Sequence, residues 1–277
     1  MHGADLSAVP SLVWGMDAKI VAASIVIMAY VILFTEKLNR AVVALLGASI
    51  MVFAGILTQA DAFKGIDFNT LALLIGMMMI VGISEKTGIF QYVAIWATKK
   101  VKASPRGILI VLAIVTAVFS AFLDNVTTVL LIVPVTLQIT KKLGIPTYPF
   151  LLIEIFASNI GGTATLIGDP PNIMIGSAAG YTFADFIAYD APAVIIILAA
   201  VIGLFYVMYG RKISANEEHR KAIMELDEDD YIKDRRLLHI SVAMVVLVVV
   251  GFMTHGALGL ESCVIALAAA GLILIAF

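Results

Sequence analysis

Two short polar stretches interrupt the apolar parts of this sequence, and they carry the side chains that could bind an ion. The first stretch, residues 120–128, holds Asp124 and Asn125, followed by Thr127 and Thr128. A carboxylate, an amide and two hydroxyls offer a cation or a proton several oxygen atoms at one place. Because a carboxylate inside a membrane segment costs at least about 2.5 kcal/mol, its presence there indicates a solute pathway.

The second stretch, residues 157–172, cannot form one continuous helix. Its glycines and prolines break helical structure: Gly161, Gly162, Gly168, Pro170 and Pro171. Broken helices survive in a membrane only where they are buried in protein or line an aqueous cavity, and their free carbonyl groups can then face a cation. The polar candidates for binding in this stretch are Ser158, Asn159, Thr163, Thr165, Asp169 and Asn172.

Each carboxylate also has a purely structural interpretation. Asp124 could simply cap a helix that starts at Asn125, and Asp169 could cap a helix that starts at Pro170. Glu154, about one turn before the second stretch, could be a coupling carboxylate or could pair with a neighbouring helix. The sequence leaves these alternatives open.

The composition excludes an ordinary soluble domain. Of the 277 residues, 61% are hydrophobic and 14% are charged, and the mean hydropathy is +1.04. A net charge of -2 leaves no basic face for nucleic acid. The single cysteine, Cys263, excludes a disulfide framework and a cysteine-rich metal site. We therefore predict an all-α polytopic membrane protein, with no cofactor and no metal other than a transported sodium ion.

Several candidate membrane segments are shorter than the ~20 residues of a perpendicular span. Short, interrupted segments are typical of binding-site helices in transporters. The apolar runs cover residues 19–34, 41–57, 70–83, 107–123, 126–139, 148–160, 191–209, 240–254 and 257–277.

The positions of the 18 Lys and Arg residues predict the orientation. All except Lys19 and Lys64 fall on one side of the apolar runs, which places the N-terminus outside and the loop 211–238 in the cytoplasm. Residues 107–139 then lie between two cytoplasmic basic clusters, with Asp124–Asn125 as their only connector. That arrangement favours a re-entrant hairpin, and two full spans joined outside are the alternative.

Two further segments are predicted to lie at the cytoplasmic side. Residues 85–106 are amphipathic, so they form either a helix in the membrane interface or the frayed end of the preceding span. Residues 211–236 contain similar numbers of acids and bases, which indicates a solvated linker helix.

The two polar stretches resemble the ion transporter superfamily. The matching motifs are Leu123-Asp-Asn-Val-Thr-Thr128 followed by Pro134, and Asn159-Ile-Gly-Gly-Thr-Ala-Thr-Leu-Ile-Gly-Asp-Pro-Pro-Asn172. They are most similar to the branch of arsenite-efflux permeases, D-type sodium/proton antiporters and the melanosomal P protein. Citrate-transporter-like proteins and sodium/dicarboxylate cotransporters are more distant relatives. The likeness covers most of residues 20–210.

The resemblance implies inverted-topology repeats, each with a re-entrant hairpin and a broken helix, an elevator-like movement and a homodimer. Residues 18–210 would be the first repeat, 211–238 the cytoplasmic linker and 239–277 the start of the second repeat, so that the single transporter domain 1–277 is expected to be incomplete. In the dicarboxylate relatives the hairpin tip reads Ser-Asn-Thr. Here Asp124 replaces the serine and Val126 the threonine, which disfavours a dicarboxylate substrate.

We therefore expect a secondary active transporter of the inner membrane, embedded in lipid, and not an enzyme. Its partners would be a small inorganic ion or solute, with sodium or protons as the coupling ion, as in sodium/proton antiport or arsenite-type efflux. A citrate- or dicarboxylate-type anion transporter is the alternative. From other classes, an intramembrane aspartyl protease using Asp124 and Asp169, or a membrane scaffold without transport, would also place carboxylates in apolar segments.

Overall fold

The computed structural model describes residues 12–13 and 15–277 and is built mainly of helices. Residues 1–11, for which the sequence predicts an external location, lie outside the described residues. Two short antiparallel strands, β1 (Leu12–Val13) and β2 (Met16–Asp17), precede the first helix. The predicted all-α class is confirmed.

The helices follow one another with short connections. In chain order they are α1 (Ala18–Phe34), α2 (Arg40–Phe53), α3 (Gln59–Lys64), α4 (Phe68–Lys86), α5 (Ile89–Lys100), α6 (Pro105–Ser120), α7 (Asn125–Leu143), α8 (Tyr148–Gly162), α9 (Pro170–Ala179), α10 (Phe183–Phe205), α11 (Glu217–Met224), α12 (Arg235–Leu258) and α13 (Ser262–Ala276). A π-helical turn, Tyr206–Gly210, extends α10, and a 3-10 turn, Glu228–Tyr231, follows α11.

The chain divides into two compact units, of which the first ends at Asp67. Its helix α1 begins where the Asp17 carboxylate accepts a hydrogen bond of 2.8 Å from the Lys19 N–H. The small core of this unit includes Val21 and Ile56. The predicted boundaries of the repeats differ from this division and stay predictions.

The second unit, Phe68–Phe277, holds the helices that are long and apolar enough to cross a membrane. Among the described residues these are Phe68–Lys86, Asn125–Leu143, Phe183–Gly210 and Arg235–Thr254. The shorter apolar helices are α6 and α13 in this unit and α1 and α2 in the first unit. This set of lengths agrees with the mixture of long and short segments that the sequence predicts.

The described part of the second unit has three hydrophobic cores, the smallest of which lies around Phe90, Leu131 and Ile132. In the first core, α6, α7 and α8 surround Leu112, Ile139 and Ile153, which are fully buried. In the second core, α4 packs against α12 and α13. The α4–α13 contact is very close, since a Cβ atom on Gly76 would lie 2.7 Å from the backbone of Ala266.

The linker is docked onto the neighbouring helices rather than simply solvated. The Lys99 ammonium of α5 donates a hydrogen bond of 2.9 Å to the Leu226 carbonyl and forms an ion pair with Glu228. Ile223 of α11 is fully buried. The linker also passes so close to Gly88 that a Cβ atom there would clash with the Tyr231 carbonyl.

Helix α5 is a separate helix, because Gly88 takes a positive φ of 83° and turns the chain before Ile89. The frayed-end alternative for residues 85–106 is therefore wrong.

Candidate functional site

The tip between α6 and α7 holds the Asp124 carboxylate in a fixed orientation. Asp124 is the N-cap of α7, and its Oδ2 atom accepts hydrogen bonds from the Thr127 N–H at 2.9 Å and the Thr127 hydroxyl at 2.7 Å. The Thr128 hydroxyl donates to the Asp124 carbonyl at 3.0 Å. The helix cap is therefore real. It engages only one carboxylate oxygen, and Oδ1 has no hydrogen-bond partner among the described residues.

The predicted break between α8 and α9 is confirmed, since the chain unwinds over residues 163–169. Within it, the Thr165 hydroxyl donates to the Ala121 carbonyl of the hairpin tip and accepts a hydrogen bond of 3.2 Å from the Gly168 N–H. The Asn172 amide donates to the carbonyls of Gly162 and Thr165, at 3.2 and 2.8 Å. These bonds pair backbone groups that the broken helix would otherwise leave without partners.

The hairpin and the broken helix touch through their backbones. A Cβ atom on Gly161 would lie 2.2 Å from the Ala117 carbonyl oxygen. A Cβ atom on Gly168 would lie 2.4 Å from the Gly162 carbonyl oxygen and 2.7 Å from that of Ser120. These glycines permit close approach of the two elements, so the tip and the break form one body.

The predicted site residues divide into two groups by exposure. The first group is buried where the tip and the break contact each other: Thr128, Ser158, Gly161, Gly162, Thr165, Gly168 and Asn172. The second group is partly or fully exposed: Asp124, Asn125, Thr127, Asn159, Thr163 and Asp169. In this second group the Asn125 amide donates to the Asn159 side-chain oxygen at 3.0 Å, which joins the tip to α8. A role in ion binding stays a prediction for all of them.

Four helix ends meet at this body. Helices α6 and α8 end there, at Ser120 and Gly162, while α7 and α9 begin there, directly after Asp124 and Asp169. Asp169 makes no side-chain capping bond, and it lies close enough to Asp124 for their charges to repel each other. The two N-terminal and two C-terminal helix ends offset one another, so the negative charge of this region comes from the two carboxylates, and that charge favours a cation.

A cavity of about 220 Å³ borders the tip, and we call it the Asp124 cavity. One of its walls is a face of α4 that includes Met78, Gly82 and Glu85, and its other walls include Asp124 and Ile167. Sequence reasoning missed Gly82 and Glu85. Their helical spacing with Met78 was a usable signal, because it places a glycine and a carboxylate on one stripe of an apolar helix.

A second cavity of about 310 Å³, the Glu261 cavity, lies between the N-terminal ends of α4 and α13 and the end of α9. Leu166 lines this cavity, whereas the next residue, Ile167, lines the Asp124 cavity. Both side chains are buried. The unwound segment therefore forms an apolar partition between the two cavities.

Glu154 is not brought to this site. Its side chain is fully buried between α7 and α8, where Oε1 accepts a hydrogen bond from the Thr136 hydroxyl. Its Oε2 has no hydrogen-bond partner among the described residues. Thr136 lies twelve residues along α7 from Asp124, a distance of about 18 Å along a helix axis. Its role as a second coupling carboxylate stays a prediction.

Comparisons with known proteins agree on one family. The family model described as citrate transporter matches residues 30–276. An uncharacterized transporter of Mycobacterium tuberculosis is 45% identical over 261 residues, which are 93% of this chain and 61% of the relative. The 46 kDa membrane protein of Mycobacterium leprae is 41% identical over 261 residues, again 93% of this chain and 61% of the relative. The P protein of Homo sapiens is 35% identical over 222 residues, which are 76% of this chain and 26% of that protein. The chain thus spans about three fifths of the length of its mycobacterial relatives.

Proposed function

Because this chain belongs to the citrate transporter family, we propose that it forms the ion-coupling part of a secondary active transporter in the bacterial inner membrane. It is an integral membrane protein with several apolar helices of spanning length. One observation carries the proposal. The Asp124 carboxylate is held at a hairpin tip by Thr127, with one oxygen free of hydrogen bonds, on the wall of a cavity.

The coupling step is the neutralisation of Asp124. A charged carboxylate is costly to move through the hydrocarbon region, and binding of sodium or a proton removes most of that cost. The close backbone contacts at Gly161 and Gly168 support movement of the hairpin and the broken helix together. Such a body would carry the bound ion and its co-solute across the membrane in an elevator-like step.

The charges favour a cation or a proton over a citrate-like anion. The lining of the Asp124 cavity contains two carboxylates, Asp124 and Glu85, and no Lys or Arg among the described residues. A polycarboxylate substrate would be repelled by this lining unless both carboxyls were protonated. Sodium/proton antiport or an arsenite-type efflux therefore fits the site best, with transport of a citrate-type anion as the second possibility.

The test is the substitution Asp124→Asn in the full-length protein, reconstituted in liposomes. Asparagine is also a good N-cap, so α7 can still begin correctly while the charge is removed. We expect sodium-driven proton flux, followed with a pH-sensitive dye, to fall to the level of empty liposomes. Asp185→Asn is a matched control, since the Asp185 carboxylate also accepts hydrogen bonds from a threonine N–H and hydroxyl, those of the α10 N-cap Thr182, and does not line the Asp124 cavity; it should retain flux. Undiminished coupled flux in Asp124→Asn would refute the proposal.

A further inference from the structure

We propose that the Asp124 cavity is the cytoplasmic entrance for the coupling cation and that Glu85 is the carboxylate at its mouth. This inference rests on the proposed function. It adds to that function a route by which the cation reaches Asp124, and a second acidic residue, Glu85, on this route.

The cavity follows one face of α4. Its lining on this helix extends from Leu74 to Glu85, eleven residues or about 16 Å along the axis. Asp124 and Thr127 line the cavity from the hairpin tip. Glu85 is exposed near the end of α4, and the basic residues of the sequence assign that end to the cytoplasm. The cavity therefore joins an exposed carboxylate to the half-buried one at the tip.

Gly82 keeps the Asp124 cavity open, because it has no side chain to fill the space beside α4. Apart from the backbone of α4 itself and the adjoining residues, no atom lies within 4 Å of the place where a Cβ atom on Gly82 would be, in contrast to the crowded Gly76 six residues earlier on α4. A side chain introduced at position 82 would project into open space along the cavity wall. It would do so without displacing any neighbour.

The charge of Glu85 is not cancelled by its basic neighbour. The Lys86 ammonium lies 4.4 Å from the centroid of the Phe277 ring, on the side of α13. No Lys or Arg lines the cavity among the described residues. A narrow cleft whose described lining holds two carboxylates and no cationic side chain concentrates cations and repels anions.

Thiol labelling tests the entrance without any transport assay. Gly82→Cys is introduced together with Cys263→Ala, which removes the only other thiol of the chain. Inside-out membrane vesicles are treated with two membrane-impermeant methanethiosulfonates, one carrying a trimethylammonium group and the other a sulfonate. We expect the cationic reagent to react about fivefold faster than the anionic one. The ratio of the two rates does not depend on the thiolate fraction.

Gly203→Cys is the matched control, because Gly203 lies on an exposed face of α10 and its Cβ position is also free of neighbours. It should react more slowly than Gly82→Cys and show no preference for the cationic reagent. Adding Glu85→Gln to Gly82→Cys should lower the ratio of the two rates toward one.

The inference is overturned if Gly82→Cys reacts no faster than Gly203→Cys, or if Glu85→Gln leaves the preference unchanged. Either result would leave the Asp124→Asn flux test intact. Conversely, normal coupled flux in Asp124→Asn would refute the proposed function while the labelling preference still stood.

Discussion

Asp124 and Glu154 are both carboxylates among apolar helices, yet their surroundings are opposite. Asp124 stands at a helix end, half-buried, with two hydrogen bonds on one oxygen and a cavity beside it. Glu154 stands inside a continuous helix, fully buried, with a single hydrogen bond from Thr136. Of these two surroundings, only the helix break combines fixed donors with adjacent space, which is why we place the proposed ion exchange there.

The largest expected difference concerns transport. Asp124→Asn should abolish coupled flux, whereas Glu154→Gln should retain it, because glutamine keeps an oxygen to accept the Thr136 hydroxyl hydrogen bond. Both variants are measured in the same liposome assay, with the amount of inserted protein as the control. Loss of coupled flux in Glu154→Gln would show that transport also needs the buried carboxyl, and Asp124 and Glu154 would then not differ in this respect.

The next difference concerns stability. Thr136→Val removes the only hydrogen-bond partner of a fully buried carboxyl, so it should lower the free energy of unfolding by about 1–3 kcal/mol. Thr127→Val should cost less, because the backbone N–H of residue 127 still donates to the half-buried Asp124. Unfolding of the two variants in detergent measures this. Equal losses of stability in the two variants would mean that the deeper burial of Glu154 does not make its hydrogen bond more important for folding than that of Asp124.

The smallest expected effect concerns a third carboxylate, that of Glu228, which lies outside the membrane segments. A hydrogen bond from the Lys99 ammonium lowers the pKa of Glu228. Its stabilising contribution is therefore present above the ordinary pKa of a glutamate and is lost as the pH falls through the lowered pKa. Glu228→Gln should reduce stability by at most about 1 kcal/mol at neutral pH.

The pH dependence provides the check on this third pair. The difference in stability between Glu228→Gln and the unchanged protein should shrink toward zero in acid and should also weaken in high salt. A difference that stays constant as the pH falls would show that packing of the linker, rather than the ion pair with Lys99, is responsible.

The sequence was sufficient to predict the elements around the tip, because helix-breaking residues act locally. Gly161–Gly162 and Pro170–Pro171 bound the observed break closely, and Asp124 marks the start of α7. Apolar runs likewise predicted most of the long helices. These features need no knowledge of which helices become neighbours.

Side-chain roles depend on tertiary contacts, so the sequence could not assign them. Thr165 and Asn172 look like ion ligands in the sequence, and the structure adds a contact that the sequence does not predict, since both donate to backbone carbonyls; their part in ion binding stays a prediction. Glu85 is not among the residues that the sequence predicts for the site, because its place on the cavity depends on α4 packing beside the hairpin. The sequence did not predict the docking of the linker for the same reason, since Lys99 and its partner Leu226 are 127 residues apart in the chain.

The thin partition formed by Leu166 and Ile167 determines where a membrane voltage would act. Adjacent Cα atoms are only about 3.8 Å apart, and the two side chains face different cavities. If water fills both cavities, most of the voltage falls across this short apolar wall instead of the whole bilayer. Each elementary charge that crosses it then exchanges about 2.3 kcal/mol per 100 mV. A net charge that moves only a few Å across this wall would therefore sense most of the membrane voltage.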